Sequence, residues 1–151
     1  KGSSEFGAIK PLHLHSSSPF SLKICKNYLK SAIFSKGLML KKQHRLAKTK
    51  DVQRVFSQRR GFFDPFLTVK FLKSVKNPSR FTVVVSTKVA KSAVKRNRLK
   101  RILREFIRLR LNYFALGDYA IIVRPKAIAI KEQDLLLNFE RLLKTSGLLK
   151  V

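Results

Sequence analysis

The segment from Ala93 to Glu105, AVKRNRLKRILRE, constrains the fold of this chain more than any other. Its apolar residues recur every three or four positions, which is the spacing of one helix face, and the pattern continues beyond Glu105. The stripe comprises Leu99, Ile102, Leu103, Phe106, Ile107 and Phe114. Such a helix must bury its stripe against a second layer of structure and leave its other faces outside. Ser92 is the predicted N-cap, and Gly117 is the predicted end of the helix.

The outer faces of this helix are cationic, with Glu105 as the one acid in the segment. Side chains three or four residues apart share a helix face. Those that project together are Arg96 or Asn97, Lys100, Arg101 and Arg104. Most charged runs on helices are solvated faces, but this run lacks the acids at i,i+4 that usually accompany such a face, which favours phosphate binding. Arginine suits bidentate contact with phosphate, and the Asn97 amide suits a base edge or a ribose hydroxyl.

The charge of the whole chain indicates the same kind of partner. The chain has 34 Lys and Arg against 8 Asp and Glu, a formal net charge of +26 and a sequence pI near 11.1. Nucleic acid or an anionic membrane surface would neutralise this excess. No apolar run approaches the roughly 20 residues of a membrane-spanning helix, so nucleic acid is the better choice. With 44% hydrophobic residues and 12 Phe, the chain is expected to form a packed core.

Few residues of this chain could perform chemistry on their own. A single cysteine, Cys25, excludes an internal disulfide and fits a reducing, cytoplasmic compartment. His13 and His15 have a spacing that can bind a metal, but no further ligands lie near them in the sequence, so no metal site is predicted. The 8 acids are scattered, with only Glu132 and Asp134 close together. A self-sufficient nuclease needs clustered acids or paired histidines, so no catalytic residue is predicted.

Residues 1–38 differ in character from the rest of the chain. They are rich in Ser and show no sustained periodicity, so a poorly ordered leader is expected before a domain at 39–151. Residues 2–7, GSSEFG, have the composition of a cloning remnant, and Met39 is the only methionine, which makes Met39 a candidate native start. A transit peptide is the alternative, although no arginine precedes Arg45.

The domain from residue 39 onward alternates helical and strand patterns. The predicted elements are a helix from Thr49 to near Gly61, strands Phe66–Leu72 and Phe81–Ser86, the basic helix, a strand Asp118–Arg124 and a helix Glu132–Thr145. The first two strands are expected to pair as a hairpin through a turn at Asn77-Pro78-Ser79, and the segment from Gly61 to Phe66 has room for a short extra strand. The strand–helix–strand unit around the basic helix places its two strands in one sheet. The expected architecture is therefore an α+β two-layer sandwich with a sheet of about four strands.

The segments around the basic helix carry a family resemblance. Ser86-Thr87-Lys88-Val89, followed by residues 93–101 with Arg96-Asn97-Arg98 among them and then by Arg104-Glu105, resembles the signature of the bacterial ribonuclease P protein subunit. The opening helix of that family is similar to Arg45-Leu46, Asp51 and Val55-Phe56, and its last strand is similar to residues 118–123. The resemblance covers Met39 to about Leu149. A ribosomal-type RNA-binding protein without catalytic context would be equally basic, and the signature favours the ribonuclease P family over that alternative.

The resemblance implies a fold like domain 2 of ribosomal protein S5, with a left-handed βαβ crossover against the usual right-handed rule. Two positions depart from the family pattern. Val52 stands where the family often has an aromatic residue, which argues against a stack of two rings on the opening helix. Lys91-Ser92 stands where many members have Gly-Asn with one residue fewer, which indicates a different turn before the basic helix.

The resemblance also implies a division of labour. The family's catalyst is a large RNA that uses Mg²⁺ to hydrolyse the 5′ leader from precursor tRNA. The small basic protein, itself monomeric and not bound to membrane, binds that RNA, contacts the leader and helps to organise metal ions. The Mg²⁺ would be bound mainly by the RNA subunit and the substrate. The residues implied to bind the RNA subunit are Lys88, Lys91, Lys95, Arg96, Asn97, Arg98, Lys100, Arg101 and Arg104.

A second surface is implied by the resemblance, a cleft for the single-stranded leader. The residues implied to line it are Val52, Phe56, Phe66, Val69, Phe71 and Lys88. Periodicity alone favours a core role for Phe56, whereas the resemblance favours a place in the cleft. Stacking of a base on an aromatic ring contributes about 1–3 kcal/mol and demands little sequence, which suits a protein that serves many precursors.

Overall fold

The computed structural model describes residues 39–59, 61–74 and 78–150 of the chain. The predictions made for the leader, for Cys25 and for His13 and His15 lie outside the described residues. The helices are α1 (Thr49–Phe56), α2 (Ala93–Leu109) and α3 (Glu132–Thr145), and the strands are β1 (Gly61–Phe63), β2 (Leu67–Lys73), β3 (Arg80–Val85) and β4 (Gly117–Val123). Short 3₁₀ turns lie at Lys42–His44, Leu111–Tyr113 and Pro125–Ala129. The predicted α+β class is confirmed.

The four strands form one sheet in the order β1-β2-β4-β3. The predicted hairpin between β2 and β3 is wrong, because β4 lies between them, antiparallel to β2 and parallel to β3. Six of the seven residues of β4 are buried, and a strand covered on both faces belongs in the middle of a sheet. The hairpin partner of β2 is instead β1, the short extra strand, which is confirmed.

The two faces of the sheet are covered by different helices. On one face α2 and α3 enclose the main core, where the Phe81 ring stacks on Tyr119 with 4.8 Å between centroids and Phe106 packs against Phe139. On the other face α1 packs on β2 and β4, and its Val55 is buried with Leu46 and Ala120 in a smaller cluster. The sheet therefore has one fully covered face and one that α1 covers only in part.

The ends of two helices differ from those predicted. Helix α1 ends at Phe56 rather than near Gly61, and α2 ends at Leu109 rather than at Gly117. Gly117 begins β4 instead, and a Cβ there would lie 2.4 Å from Cε2 of Phe71 and 2.5 Å from the Leu72 carbonyl oxygen, so only glycine fits. Ser92 is the N-cap of α2, but its hydroxyl oxygen accepts no capping hydrogen bond from the first turn. Helix α3 has the predicted bounds.

Candidate nucleic-acid interface

The cations of α2 lie on two flanks of the helix. Arg96, Lys100 and Arg104 form a row at four-residue spacing, and all three are half-buried. Lys95, Asn97 and Arg101 of the same helix are exposed. Arg98 leaves the helix on the other flank, toward α3, and does not share the row. The predicted face, which did not include Arg98, contains the whole of this row.

Arg98 has an acidic partner on α3. Its Nε and Nη2 donate to the two carboxylate oxygens of Glu132 at 2.6 and 3.2 Å. This hydrogen bonding raises the pKa of Arg98 above its ordinary value. The Arg98 side chain remains 63% exposed, so a phosphate can still reach its outer edge.

Arg96 supports the loop that precedes α2. Its Nη1 donates to the carbonyl oxygens of Ala90 and Lys91 at 2.9 and 2.6 Å. Ala90 is buried, whereas Lys88 and Lys91 are exposed in the same loop. The Arg96 contacts thus hold two more of the predicted RNA-binding lysines near the start of the helix.

Most carboxylates of the described residues are already in ion pairs. Those in ion pairs are Asp51, Asp64, Glu105, Asp118, Glu132 and Glu140. Glu105, predicted to be isolated, is buried and accepts two hydrogen bonds from Arg108, which raise the pKa of Arg108. Within the described part of the chain no carboxylate lies within 4.0 Å of Lys95, Lys100, Arg101 or Arg104. Their charge is left uncompensated, as phosphate binding requires.

A second surface lies on the sheet face that carries α1. Val52 and Phe56 of α1 are half-buried beside Val55. The Lys70 ammonium donates to the carbonyl oxygens of Phe56 and Gln58, the latter at 3.2 Å, and so fastens the end of α1 to β2. The strand alternation and register identify the strand side chains on the part of this face that α1 leaves uncovered. They are Phe63, Thr68, Thr82, Val84 and Ile122.

The structure divides the residues that were assigned to one leader cleft. Val69 is fully buried in the main core, and the Phe71 ring lies 4.8 Å from that of Tyr119, so both point away from Phe56. Phe66 also packs against the main core. Neighbouring residues of a strand face opposite sides, and the β2 residues on the α1 side are Thr68, Lys70 and Leu72. Placing Val69 and Phe71 in the cleft is therefore wrong. Lys88 is exposed in the turn after β3.

Phe63 is a feature of this surface that the sequence reading missed. It pairs with Thr68 across β1 and β2, so its side chain leaves on the α1 side of the sheet. It is 65% exposed, which is unusual for a phenylalanine in a strand. The ring lies close over Gly61, with a Cβ at that glycine falling 3.2 Å from its Cζ. The alternation of β1 could have indicated this orientation had the strand been paired correctly.

The described residues do not form a metal site of their own. Among them no group of three or more His, Cys, Asp or Glu side chains could hold a metal ion. Asp51 and Asp118 approach one another, but both accept hydrogen bonds from Arg80, at 3.0 and at 2.6–2.8 Å. A guanidinium thus fills the position that a cation would need. In the described part of the chain no helix has the length and apolar character to span a bilayer.

Comparison with known proteins identifies relatives of the chain. A family model described as Ribonuclease P matches residues 40–147. The chain is 34% identical over 105 residues to a ribonuclease P protein component from Exiguobacterium sp., an alignment that covers 70% of this chain and 91% of that protein. It is 39% identical over 95 residues to the component from Xanthomonas campestris pv. campestris, covering 63% of this chain and 64% of that protein.

Solved structures of similar fold include two with the same name. The RNase P protein from Thermotoga maritima is 27% identical, covers 67% of this chain and 96% of its own, and superimposes with a TM-score of 0.60. The RNase P protein from Staphylococcus aureus has a TM-score of 0.67 at 24% identity, covering 72% of this chain and 100% of its own. At 24% identity, the similarity to the Staphylococcus aureus protein shows a shared fold alone.

Proposed function

The chain belongs to the ribonuclease P protein family, as the protein subunit of that tRNA-processing ribonucleoprotein, and from this premise we propose which surface meets which RNA. Helix α2 binds the catalytic RNA of the enzyme. The sheet face that carries α1 receives the single-stranded 5′ leader of precursor tRNA. The protein acts as a monomer in this complex and positions both RNAs, while the RNA subunit performs the hydrolysis.

The uncompensated charge of α2 is the observation that carries the first assignment. Lys100, Arg101 and Arg104 have no carboxylate partner in the described residues, although most carboxylates there are paired with other cations. Phosphates of a folded RNA neutralise such a surface and release counterions, which makes binding strongly dependent on salt. Asn97, exposed beside the row, supplies a donor and an acceptor for a base edge or a 2′-hydroxyl.

The shape and chemistry of the α1 side support the second assignment. Phe56 and Val52 form one wall, and the small or branched side chains of Thr68, Val84 and Ile122 form a shallow floor. Phe63 offers an exposed ring at the outer edge of the same face. Aromatic side chains stack on bases of single strands with little sequence preference.

Magnesium is proposed to act through the RNA rather than through a cage of protein ligands. The described residues lack a suitable cluster of oxygen ligands, and the one close pair of carboxylates is taken by Arg80. The proposed role of the protein is to neutralise phosphate repulsion, so that the catalytic RNA and its substrate, which would bind the Mg²⁺, approach closely.

Reconstitution tests this function. The full chain, a bacterial ribonuclease P RNA and a precursor tRNA with a 5′ leader are combined with Mg²⁺, and the released leader is measured. We expect the chain to raise the rate at low Mg²⁺ and to lower KM for the precursor. Cleavage by the protein without the RNA, or an RNA-catalysed rate that the protein leaves unchanged, would contradict the proposal. A ribosomal-type binding protein would bind RNA without accelerating this reaction.

A further inference from the structure

The N-terminal arm, residues 39–48, runs along the outer edge of the sheet beside β3. Arg45 forms an isolated parallel bridge with Phe81, and the backbone N–H of Leu46 donates to the Phe81 carbonyl at 3.0 Å. A second tie joins the His44 ring, through Nδ1, to the carbonyl oxygen of Ser79 at 2.9 Å. The arm is therefore fixed in register with the edge strand.

This register determines where the Arg45 side chain goes. Bridge partners direct their side chains to the same side of a sheet, and Phe81 is buried in the main core beneath α2. Leu46, the next residue, packs in the smaller cluster on the opposite face. Arg45 therefore projects on the α2 side. Its Nε donates to the Leu40 carbonyl at 2.7 Å, and its two terminal nitrogens have no partner within the described residues.

Arg104 faces the arm from α2. It is the last member of the half-buried row, on the flank of the helix turned away from α3. Burial lowers the pKa of Arg104, and the nearby positive charge of Arg45 lowers it further. Within the described residues the Arg104 guanidinium has no hydrogen-bond acceptor and no carboxylate partner.

Other buried or half-buried arginines of the described chain have partners. Arg80, Arg108 and Arg110 pair with carboxylates, and Arg96 donates to two carbonyls. Arg45 has one carbonyl acceptor, that of Leu40, and among the described residues neither Arg45 nor Arg104 has a carboxylate partner. The two are thus half-buried guanidinium groups of like charge on the same side of the sheet. Such an arrangement is costly unless an anion binds there.

We propose that Arg45 and Arg104 together bind one phosphate group, supplied by the backbone of the RNA that α2 contacts. A tetrahedral oxyanion offers acceptors to the donor forks of both arginines, and its charge removes their repulsion. One RNA phosphate would then contact both the N-terminal arm and α2. The RNA-binding surface would extend beyond the helix to Arg45. This inference rests on the proposed function, because that function supplies the RNA.

The first test uses the unaltered chain. Arginine Nε–H signals are followed by ¹H–¹⁵N NMR while inorganic phosphate is added at constant ionic strength. We expect the signals of Arg45 and Arg104 to shift together and to saturate, whereas that of Arg141, exposed on α3, shifts weakly and without saturation. Arg45 and Arg104 signals that follow the same shallow course as Arg141 would overturn the phosphate site.

The second test asks whether the phosphate belongs to RNA. Affinity for the ribonuclease P RNA is measured for Arg45→Lys, Arg104→Lys and the double variant; lysine keeps the charge but lacks the fork. We expect each single variant to bind about three- to tenfold more weakly, and the double variant to bind no more weakly than the worse single variant. The control pair Arg45→Lys and Arg101→Lys should show losses that multiply.

The outcomes separate the site from the proposed function. Losses that multiply for Arg45→Lys and Arg104→Lys would show that the residues do not share a phosphate. Saturable phosphate binding with unchanged RNA affinity in all three variants would assign the site to free phosphate and overturn its RNA source. Failure of the unaltered chain to bind the RNA would instead contradict the proposed function, while the NMR titration would still measure the site.

Discussion

Arg98 and Glu132 form a bidentate ion pair that joins the second turn of α2 to the first residue of α3. Arg98 stands in the most recognisable part of the basic helix, yet in the free protein its guanidinium already has a carboxylate. A phosphate that binds Arg98 must compete with Glu132 or share the guanidinium with it. The two residues thus connect RNA affinity to the packing of α3 beside α2.

Replacement of Glu132 by Gln should strengthen binding to the catalytic RNA. The variant leaves Arg98 uncompensated, and a surface ion pair contributes about 0.2–1 kcal/mol, so we expect affinity to rise about 1.5- to 5-fold. The steepness of the salt dependence should increase. Filter binding at several salt concentrations measures both quantities.

Asp134→Asn is the matched control for that experiment. Asp134 lies in the same first turn of α3, and within the described residues its carboxylate forms no ion pair. The substitution changes the net charge by the same amount. If Asp134→Asn strengthens binding as much as Glu132→Gln, the gain reflects general charge and not release of Arg98.

Arg101→Ala should weaken RNA binding and flatten its salt dependence. Arg101 is exposed on α2 and has no carboxylate partner in the described residues, so its loss should remove about one phosphate contact and change the slope of log K against log salt by about one. The slope is measured from about 50 to about 300 mM salt, where phosphate contacts dominate the salt dependence. Lys144→Ala on α3 serves as a cation control. An unchanged slope for Arg101→Ala would mean that this side chain is only solvated.

Local periodicity predicted most helices and strands, whereas it did not predict which distant strands pair. The bounds of α3 agree with the prediction because its apolar spacing and its stop at Gly147, with a φ of 68°, are local signals. The predicted hairpin of β2 with β3 is wrong because strands that are neighbours in sequence need not pair, and here β4 lies between them. The continuous apolar run of β4 already carried the better signal, since strands buried on both faces occupy the centre of a sheet.

The candidate sites show the same limit. The alternation of β2 is a local signal, but deciding whether Val69 or Thr68 lies on the side of the proposed leader cleft requires knowing which helix covers which face. The pairing of Arg98 with Glu132 spans 34 positions and follows from the packing of two helices, not from any local pattern. In the sequence Arg45 carries only a family resemblance, and its bridge to Phe81 is what directs it toward α2.

Phe56→Ala should reduce affinity for precursor tRNA that carries a leader more than for mature tRNA. Phe56 is half-buried, so part of its surface can contact a base, and stacking of one base contributes about 1–3 kcal/mol. We expect a loss of about fivefold or more for the leader-bearing substrate in complex with the holoenzyme. Equal losses for the two tRNAs would show that Phe56 serves only the packing of α1.

Phe63→Ala should also weaken leader binding, with little effect on stability. The side chain is 65% exposed, so its removal creates no cavity, and it lies on the same sheet face as Thr68. Phe63→Tyr keeps the ring and should bind the leader like the unaltered chain. Affinities for precursors with leaders of increasing length are measured in the holoenzyme. A Phe63→Ala variant that binds every leader normally would place this ring outside the substrate path.

Gly117→Ala should destabilise the fold without a change in the RNA-binding residues. The new Cβ would collide with the Phe71 ring and, at 2.5 Å, with the Leu72 carbonyl oxygen, and the carbonyl belongs to the paired backbone of β2. Overpacking of this kind costs about 1–3 kcal/mol of the free energy of unfolding. Gly147→Ala, at a φ of 68° with open space around it, should cost about 1 kcal/mol through backbone strain alone. Urea unfolding compares the two variants, and a Gly117→Ala protein as stable as the unaltered chain would contradict the close approach of β2 and β4 at this position.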